Sequence, residues 1–91
     1  MRNNSNNSVY LIPVDSRKSF YGKAIVKTIP GGVVLQSYNT DVAACVNGRF
    51  VRLWDDYSAT TMRHINSFVA YCGLKNVGGK AWWCALPVET I

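Results

Sequence analysis

The dipeptide Asn47-Gly48 constrains the fold more than any other feature of this chain. Both residues tolerate the positive φ angles that a type I′ turn requires at its two central positions. The flanking residues 42–46 and 49–54 are rich in apolar and β-favouring side chains. They are therefore predicted to pair as a β-hairpin, and an antiparallel sheet is the first structure that this sequence indicates.

A second reversal is predicted at Pro30-Gly31-Gly32, because proline and glycine favour a tight turn. It would join strands over residues 22–29 and 33–46. The second of these strands is long, and its polar middle, residues 37–41, predicts a bulge or bend within it.

The two ends of the chain are predicted to differ. Residues 1–8 are polar and of low complexity, which predicts a disordered tail. Residues 9–14 form an apolar run interrupted by Pro13, which is typical of an edge strand. Residues 81–88 are predicted to form a final strand that ends near a proline.

A helix is predicted over residues 58–72, with Ser58 as its N-cap and Gly73 just after its C-terminus. Its apolar arc, at helical spacing, consists of Met62, Ile65, Phe68, Val69 and Cys72. The predicted element order is β-β-β-β-α-β. We therefore expect a single α+β domain over residues 9–91, an antiparallel sheet with one helix packed on one face.

Ten Lys and Arg against five Asp and Glu give a formal net charge of +5. This sign favours polyanionic partners and disfavours a DNA mimic. The candidate nucleic-acid contacts are Lys23, Lys27, Arg49 and Arg52. Charged residues are only 16% of the chain, below the ordinary share of about 25%. Some apolar side chains are therefore expected at the surface, which favours a protein partner or a homodimer.

The three cysteines do not predict a disulfide framework, because their number is odd and no two lie close in sequence. A zinc site built from Cys45, His64, Cys72 and Cys84 would lack the short Cys-x₂₋₄-Cys spacing of structural sites. We expect no metal and no cofactor. The cysteines, and a polar start without a signal peptide, indicate a reducing cytoplasm without membrane attachment.

No catalytic site is predicted. His64, the only histidine, has no carboxylate near it in sequence to orient it as a base. Nucleophilic catalysis would need a serine or cysteine beside it and an oxyanion hole. The pair Asp55-Asp56 is better explained as stabilising the N-terminal dipole of the helix, by roughly 0.3–1 kcal/mol. We do not expect an enzyme.

A contact surface is predicted on the outer arc of the helix and at the paired tryptophans. Adjacent residues of a strand point to opposite faces, so one of Trp82 and Trp83 is expected to be exposed. The hydroxyls at the helix start are explained mainly by capping, which leaves their neighbours free to contact a partner. The candidate partner-binding residues are Thr60, Arg63, His64, Ser67, Tyr71, Trp82 and Trp83.

Two segments together resemble a known family. Ser37-Tyr38-Asn39-Thr40, and Tyr57-Ser58-Ala59-Thr60-Thr61-Met62-Arg63-His64-Ile65, resemble a domain-of-unknown-function family found in tailed phages and bacterial mobile elements. The resemblance implies a phage or plasmid origin, a bacterial cytoplasmic setting and a small β-rich domain with one helix. It implies no activity and no catalytic residue.

Three functions follow, in order of preference. The first is a non-enzymatic interaction protein that modulates or inhibits a host protein or ribonucleoprotein, such as a CRISPR–Cas defence system. The second is a basic nucleic-acid-binding module. The third is an oligomeric small-ligand binder whose pocket would be lined by Tyr38, Asn39 and Thr60; it ranks last because a chain this short has little room for a pocket.

Overall fold

The computed structural model describes residues 8–11, 20 and 22–91. Within these residues the elements are β1 (Ser8–Tyr10), β2 (Ala24–Ile29), β3 (Gly32–Ser37), β4 (Thr40–Val46), β5 (Arg49–Arg52), α1 (Ala59–Tyr71) and α2 (Lys80–Ala85). Each strand pairs antiparallel with the next, in the sheet order β1-β2-β3-β4-β5. The predicted α+β class, with an antiparallel sheet, is confirmed.

Both predicted turns are confirmed. Ile29 pairs with Gly32 across Pro30-Gly31, and Val46 pairs with Arg49 across Asn47-Gly48. The backbone φ angles are +82° at Gly31, 54° at Asn47 and +81° at Gly48. Positive φ favours glycine and asparagine at these positions. The turn residues in the sequence therefore predicted the positions of both hairpins correctly.

The prediction of a single long strand over residues 33–46 is wrong. It is two strands, β3 and β4, joined by a turn at Tyr38-Asn39 in which Ser37 pairs with Thr40. The bulge lies one step earlier, between Leu35 and Gln36. The polar residues 37–41 correctly indicated an interruption of the strand. The turn itself was not predicted, because it contains neither the glycine nor the proline by which the other two turns were identified.

The helix α1 is confirmed to the residue at both caps. The Ser58 hydroxyl accepts the backbone N–H of Thr61 at 3.0 Å. At the other end Gly73 has φ +78°, and the N–H of Leu74 donates to the carbonyl of Val69 at 2.9 Å. This Schellman geometry satisfies carbonyls that the helix end would otherwise leave without partners.

The prediction of a final strand over residues 81–88 is wrong, because Lys80–Ala85 forms the helix α2. Strand geometry would send adjacent Trp82 and Trp83 to opposite faces, whereas a helix separates them by about 100°. In α2 both rings reach the core, and Trp82 lies 4.9 Å from Phe50 between ring centroids. Only Val88 pairs with the sheet, as a parallel bridge to Arg52.

The core lies between one face of the sheet and the helices. Its buried members are Leu11, Phe20, Ala24, Val26, Leu35, Val42, Ala43, Met62, Ile65, Phe68 and Trp83. A smaller cluster, formed by the cross-strand neighbours Val34, Ala44 and Val51, lies on the other face. Neither described helix is long and apolar enough to span a membrane.

The predicted N-terminal tail and the predicted edge strand after it lie only partly within the described residues. Ser8, which the predicted disordered tail included, is the first residue of β1. The rest of that tail, residues 1–7, and residues 12–14 of the predicted edge strand lie outside the described residues.

Candidate functional site

The β3–β4 turn meets the first half of α1 at a buried polar cluster. The Ser37 hydroxyl oxygen lies 3.0 Å from the Thr61 hydroxyl and 2.8 Å from Nδ1 of His64. All three side chains are buried. We call Ser37, Thr61 and His64 the Ser37 cluster. It joins the two segments that carry the family resemblance, which are separated in sequence by two strands.

Local structure explains why these three groups meet. Ser37 ends β3, on the sheet face that carries Leu35 and packs against α1. Thr61 and His64 are three residues apart on α1, so they share one side of the helix. Ser58 caps α1 through the N–H of the same Thr61, which fixes the helix start beside the turn.

His64 is neutral at neutral pH in this environment. Burial, together with the positive charge of neighbouring Arg63, lowers its pKa from 6.5 to about 4. Its ring packs edge-on against Phe20, with centroids 4.5 Å apart, and lies 5.7 Å from the ring of Tyr38. The imidazole therefore acts as a hydrogen-bonding core residue between aromatic rings.

The Ser37–His64 contact has the spacing of a base-assisted nucleophile. However, a nucleophile must contact its substrate, and Ser37 and His64 are only 2% and 1% exposed. A substrate would reach the hydroxyl only after Phe20 or the turn at Tyr38 moved. In the described conformation the Ser37 cluster fastens β3 to α1.

Above the cluster, Tyr38 is held in an unusual conformation. Its φ is 56°, a region that bulky residues rarely adopt, and its side chain is 48% exposed. Its N–H donates to the carbonyl of Lys23 at 2.7 Å, and its own carbonyl accepts from Nε2 of Gln36 at 3.0 Å. These two hydrogen bonds, one with Lys23 just before β2 and one with Gln36 near the end of β3, hold the strained turn in place.

The predicted contact arc of α1 is only partly at the surface. Thr60 is exposed, Tyr71 is 53% exposed and Arg63 is partly exposed. The predicted outward positions of His64 and Ser67 are wrong, because both are buried. Residues distant in sequence cover this side of the helix, with Phe20 packed on His64, and helical spacing within α1 contains no sign of them.

The paired tryptophans are not the exposed anchor that was predicted. Trp83 is completely buried, and its indole N–H donates to the carbonyl of Asp56 at 2.9 Å. Trp82 is partly buried against Phe50. The expectation that one of them is exposed assumed that these residues form a strand, and it is wrong because they form a helix.

The basic residues predicted to contact nucleic acid are mostly engaged within the chain. Lys27 pairs with Asp41 at 2.6 Å, and Arg49 pairs with Glu89 at 2.6 Å. Lys23 is exposed.

Arg52 differs from these because it is buried, at 8% exposure. Its guanidinium donates to the carbonyls of Trp54, Trp83 and Leu86, and it lies 4.7 Å from the centroid of the Trp83 ring. Its charge is used inside the molecule, where it fastens β5 to α2.

Two of the three cysteines come together, although nothing in the sequence spacing indicated it. Cys45 and Cys72 both pack against the main core cluster, and burial, with neighbouring Cys45 as a second cause, raises the pKa of the Cys72 thiol to about 12. Cys84 is exposed on α2. The four residues weighed for zinc are not gathered, and the described part of the chain holds no group of three or more metal-ligating side chains.

Ser37 and Thr61 are the residues that reasoning from local pattern missed as a site, and Tyr38 was predicted only as part of a pocket lining. The only sequence signal was that the segments containing them resembled the same family. Their contact depends on a turn that brings β3 under α1, which no local pattern encodes.

An antiparallel meander with two helices on one face defines the class: a small α+β domain. Within that class, the chain belongs to a family of unknown function, DUF8033, whose model matches residues 9–84. The match includes the whole Ser37 cluster. No curated protein and no solved structure matches the chain.

Proposed function

We propose that this protein is a non-enzymatic interaction protein of a phage or other mobile element. It binds a host protein or ribonucleoprotein in the bacterial cytoplasm and modulates or inhibits it, with a defence complex of the CRISPR–Cas kind as one candidate. The observation that carries the proposal is the exposed ring of Tyr38 on a strained turn. The phage origin rests on the family resemblance of the two segments that meet there.

The conformation of Tyr38 needs an explanation other than folding. For a residue with a Cβ atom, the left-handed region costs roughly 1–2 kcal/mol. Glycine or asparagine would fill the turn without that cost. Since half of the side chain is exposed, packing on His64 offsets only part of the strain. A tyrosine placed this way fits a binding anchor, the role in which tyrosine is enriched at interfaces.

The surroundings of Tyr38 suit it to binding. The Ser37 cluster beneath it and the hydrogen bonds to Lys23 and Gln36 hold the turn before any partner arrives. A preorganised anchor loses less conformational entropy on binding. Thr60 and Arg63 directly precede Thr61 and His64 on α1, and they are exposed and partly exposed. We call Tyr38, Thr60 and Arg63 the Tyr38 surface.

Charge pairing supports a protein partner over nucleic acid. Of the four basic residues predicted to contact phosphates, Lys27 and Arg49 are in ion pairs and Arg52 is buried. Binding through them would require those contacts to be broken.

The proposal is tested by capture from bacterial lysate with tagged protein, with and without nuclease. The variant Tyr38→Gly removes the ring and relieves the strained φ, so its thermal stability should match or exceed that of the natural chain. Tyr10→Ala is the matched control, because Tyr10 is 69% exposed on β1, outside the Tyr38 surface.

We expect one stoichiometric host protein to be captured by the natural chain and by Tyr10→Ala, regardless of nuclease. Tyr38→Gly should lose it, with a dissociation constant raised about 30-fold, the effect of an anchor contributing roughly 2 kcal/mol. Equal capture by Tyr38→Gly would refute the Tyr38 surface. Capture abolished by nuclease would instead favour the nucleic-acid-binding module.

A further inference from the structure

A pair of thiols lies between the sheet and the end of α1. Cys45, on β4, pairs in register with Phe50 on β5. The Phe50 ring lies 6.3 Å from that of Phe68 on α1, and Cys72 follows Phe68 by one helical turn. Both cysteines also pack against the same core cluster, which places Cys72 near Cys45, and Cys45 is one of the groups that raise the pKa of the Cys72 thiol.

The position of the pair differs from that of an ordinary buried cysteine. Both residues are partly exposed and pack against the margin of the core. Cys72 is also the C-cap of α1, where its backbone N–H donates to the carbonyls of Phe68 and Ala70. A bond between these sulfurs would tie the last turn of α1, where a helix frays first, to the middle of the sheet.

We propose that Cys45 and Cys72 form a redox-active dithiol, which small disulfides such as oxidised glutathione convert to a reversible disulfide linking β4 to the end of α1. This is a modification site independent of the Tyr38 surface. The chain in a reducing cytoplasm would hold the pair as two thiols, and an oxidised glutathione pool would close it.

The reaction balances without any further reactant. One protein thiol loses its proton and attacks a sulfur of glutathione disulfide, forming a mixed disulfide and releasing one glutathione thiolate. The second protein thiol, as thiolate, attacks the protein sulfur of the mixed disulfide and releases the second glutathione. Two protein thiols are oxidised, one disulfide is reduced, and the two protons pass to the two glutathione thiolates.

The surroundings of Cys72 affect the rate of this reaction. Burial keeps Cys72 protonated, with its pKa raised to about 12. A thiolate is the attacking species, so deprotonation of Cys72 limits the step in which this thiol attacks. Closure should accelerate as the pH rises towards the pKa of Cys72.

The test uses the folded full-length chain carrying Cys84→Ser, which removes the exposed thiol on α2 and keeps the pair. The protein is incubated with glutathione disulfide near pH 8 and its free thiols are blocked. Trypsin cleavage after Lys and Arg then releases Cys45 in residues 28–49 and Cys72 in residues 64–75. Mass spectrometry should find these peptides joined, with a mass lower by two hydrogen atoms.

Thermal unfolding supplies a second measurement. A cross-link that encloses β5 and α1 restricts the unfolded chain, so the melting temperature should rise by about 5 °C or more, and dithiothreitol should reverse the rise. Variants that also carry Cys45→Ser or Cys72→Ser should show no change. Separate glutathione adducts on Cys45 and Cys72 without cross-linked peptides, or unmodified thiols at high glutathione disulfide, would overturn the proposal.

Discussion

Among single residues, His64 shows how burial decides what a side chain can do. Its ring is 1% exposed and bonded to Ser37, and its pKa is lowered to about 4. The same residue on an exposed helix face would titrate near pH 6.5 and would be open to a partner. Phe20, a residue far away in sequence, covers the ring.

The pH dependence of stability should report this burial. Above about pH 6.5 the histidine is neutral in both the folded and the unfolded chain. Between about pH 6.5 and 4 the unfolded chain binds a proton that the folded chain does not. The free energy of unfolding should therefore fall as the pH falls through this window, by up to about 3 kcal/mol in total.

The measurement is urea denaturation from pH 7.5 to 4, compared with His64→Asn. Asparagine keeps a polar group near the position of Nδ1, within reach of Ser37, but does not titrate. The variant should be less stable at pH 7, because it loses the ring packing on Phe20, and its stability should fall less between pH 6.5 and 4. Carboxylates titrate in both proteins, so equal slopes would show that His64 is not the cause.

Among the elements, α1 was predicted correctly and α2 was not, for opposite reasons. The start and end of α1 are encoded locally, by the Ser58 cap and by Gly73. The helix α2 has no side-chain cap and only six residues. Isolated helices this short are unstable, so packing of Trp83 in the core holds α2 in place.

Replacing the cap should weaken α1 measurably. Ser58→Ala removes the acceptor for the N–H of Thr61, and the free energy of unfolding should fall by about 1 kcal/mol. Chemical denaturation gives this value. Thr60→Ala, at an exposed position in the first turn, is the matched control and should change stability little, since alanine is the better helix former. A loss as large in Thr60→Ala would assign the effect to hydroxyl removal in general.

The molecule as a whole is held at its C-terminal end by Arg52. Its guanidinium bonds to carbonyls of the β5–α1 connection and of α2. The backbone of Glu89 donates to the Arg52 carbonyl at 2.8 Å, so the residues after α2 are fixed to β5 as well. A basic residue that local pattern assigns to a charged surface therefore joins separate parts of the fold.

Arg52→Met should be strongly destabilising, because it removes the donor to the carbonyls of Trp54, Trp83, Leu86 and Asp56 and the contact with the Trp83 ring. We expect a loss of about 3 kcal/mol or more in the free energy of unfolding. Arg49→Met, on the same strand but exposed in its pair with Glu89, should leave the melting temperature almost unchanged. Similar melting temperatures for the two variants would contradict the role of Arg52.

The β2–β3 and β4–β5 hairpins, the helix α1 and the α+β class were predictable from sequence, since their signals are local. Turn glycines, a capping serine and an apolar repeat act within a few residues of where they stand. The Tyr38 turn, the helical state of residues 80–85, the Ser37 cluster and the Cys45–Cys72 contact were decided by tertiary structure. Each depends on burial against residues far along the chain, which determines a side chain's exposure, its pKa and its neighbours.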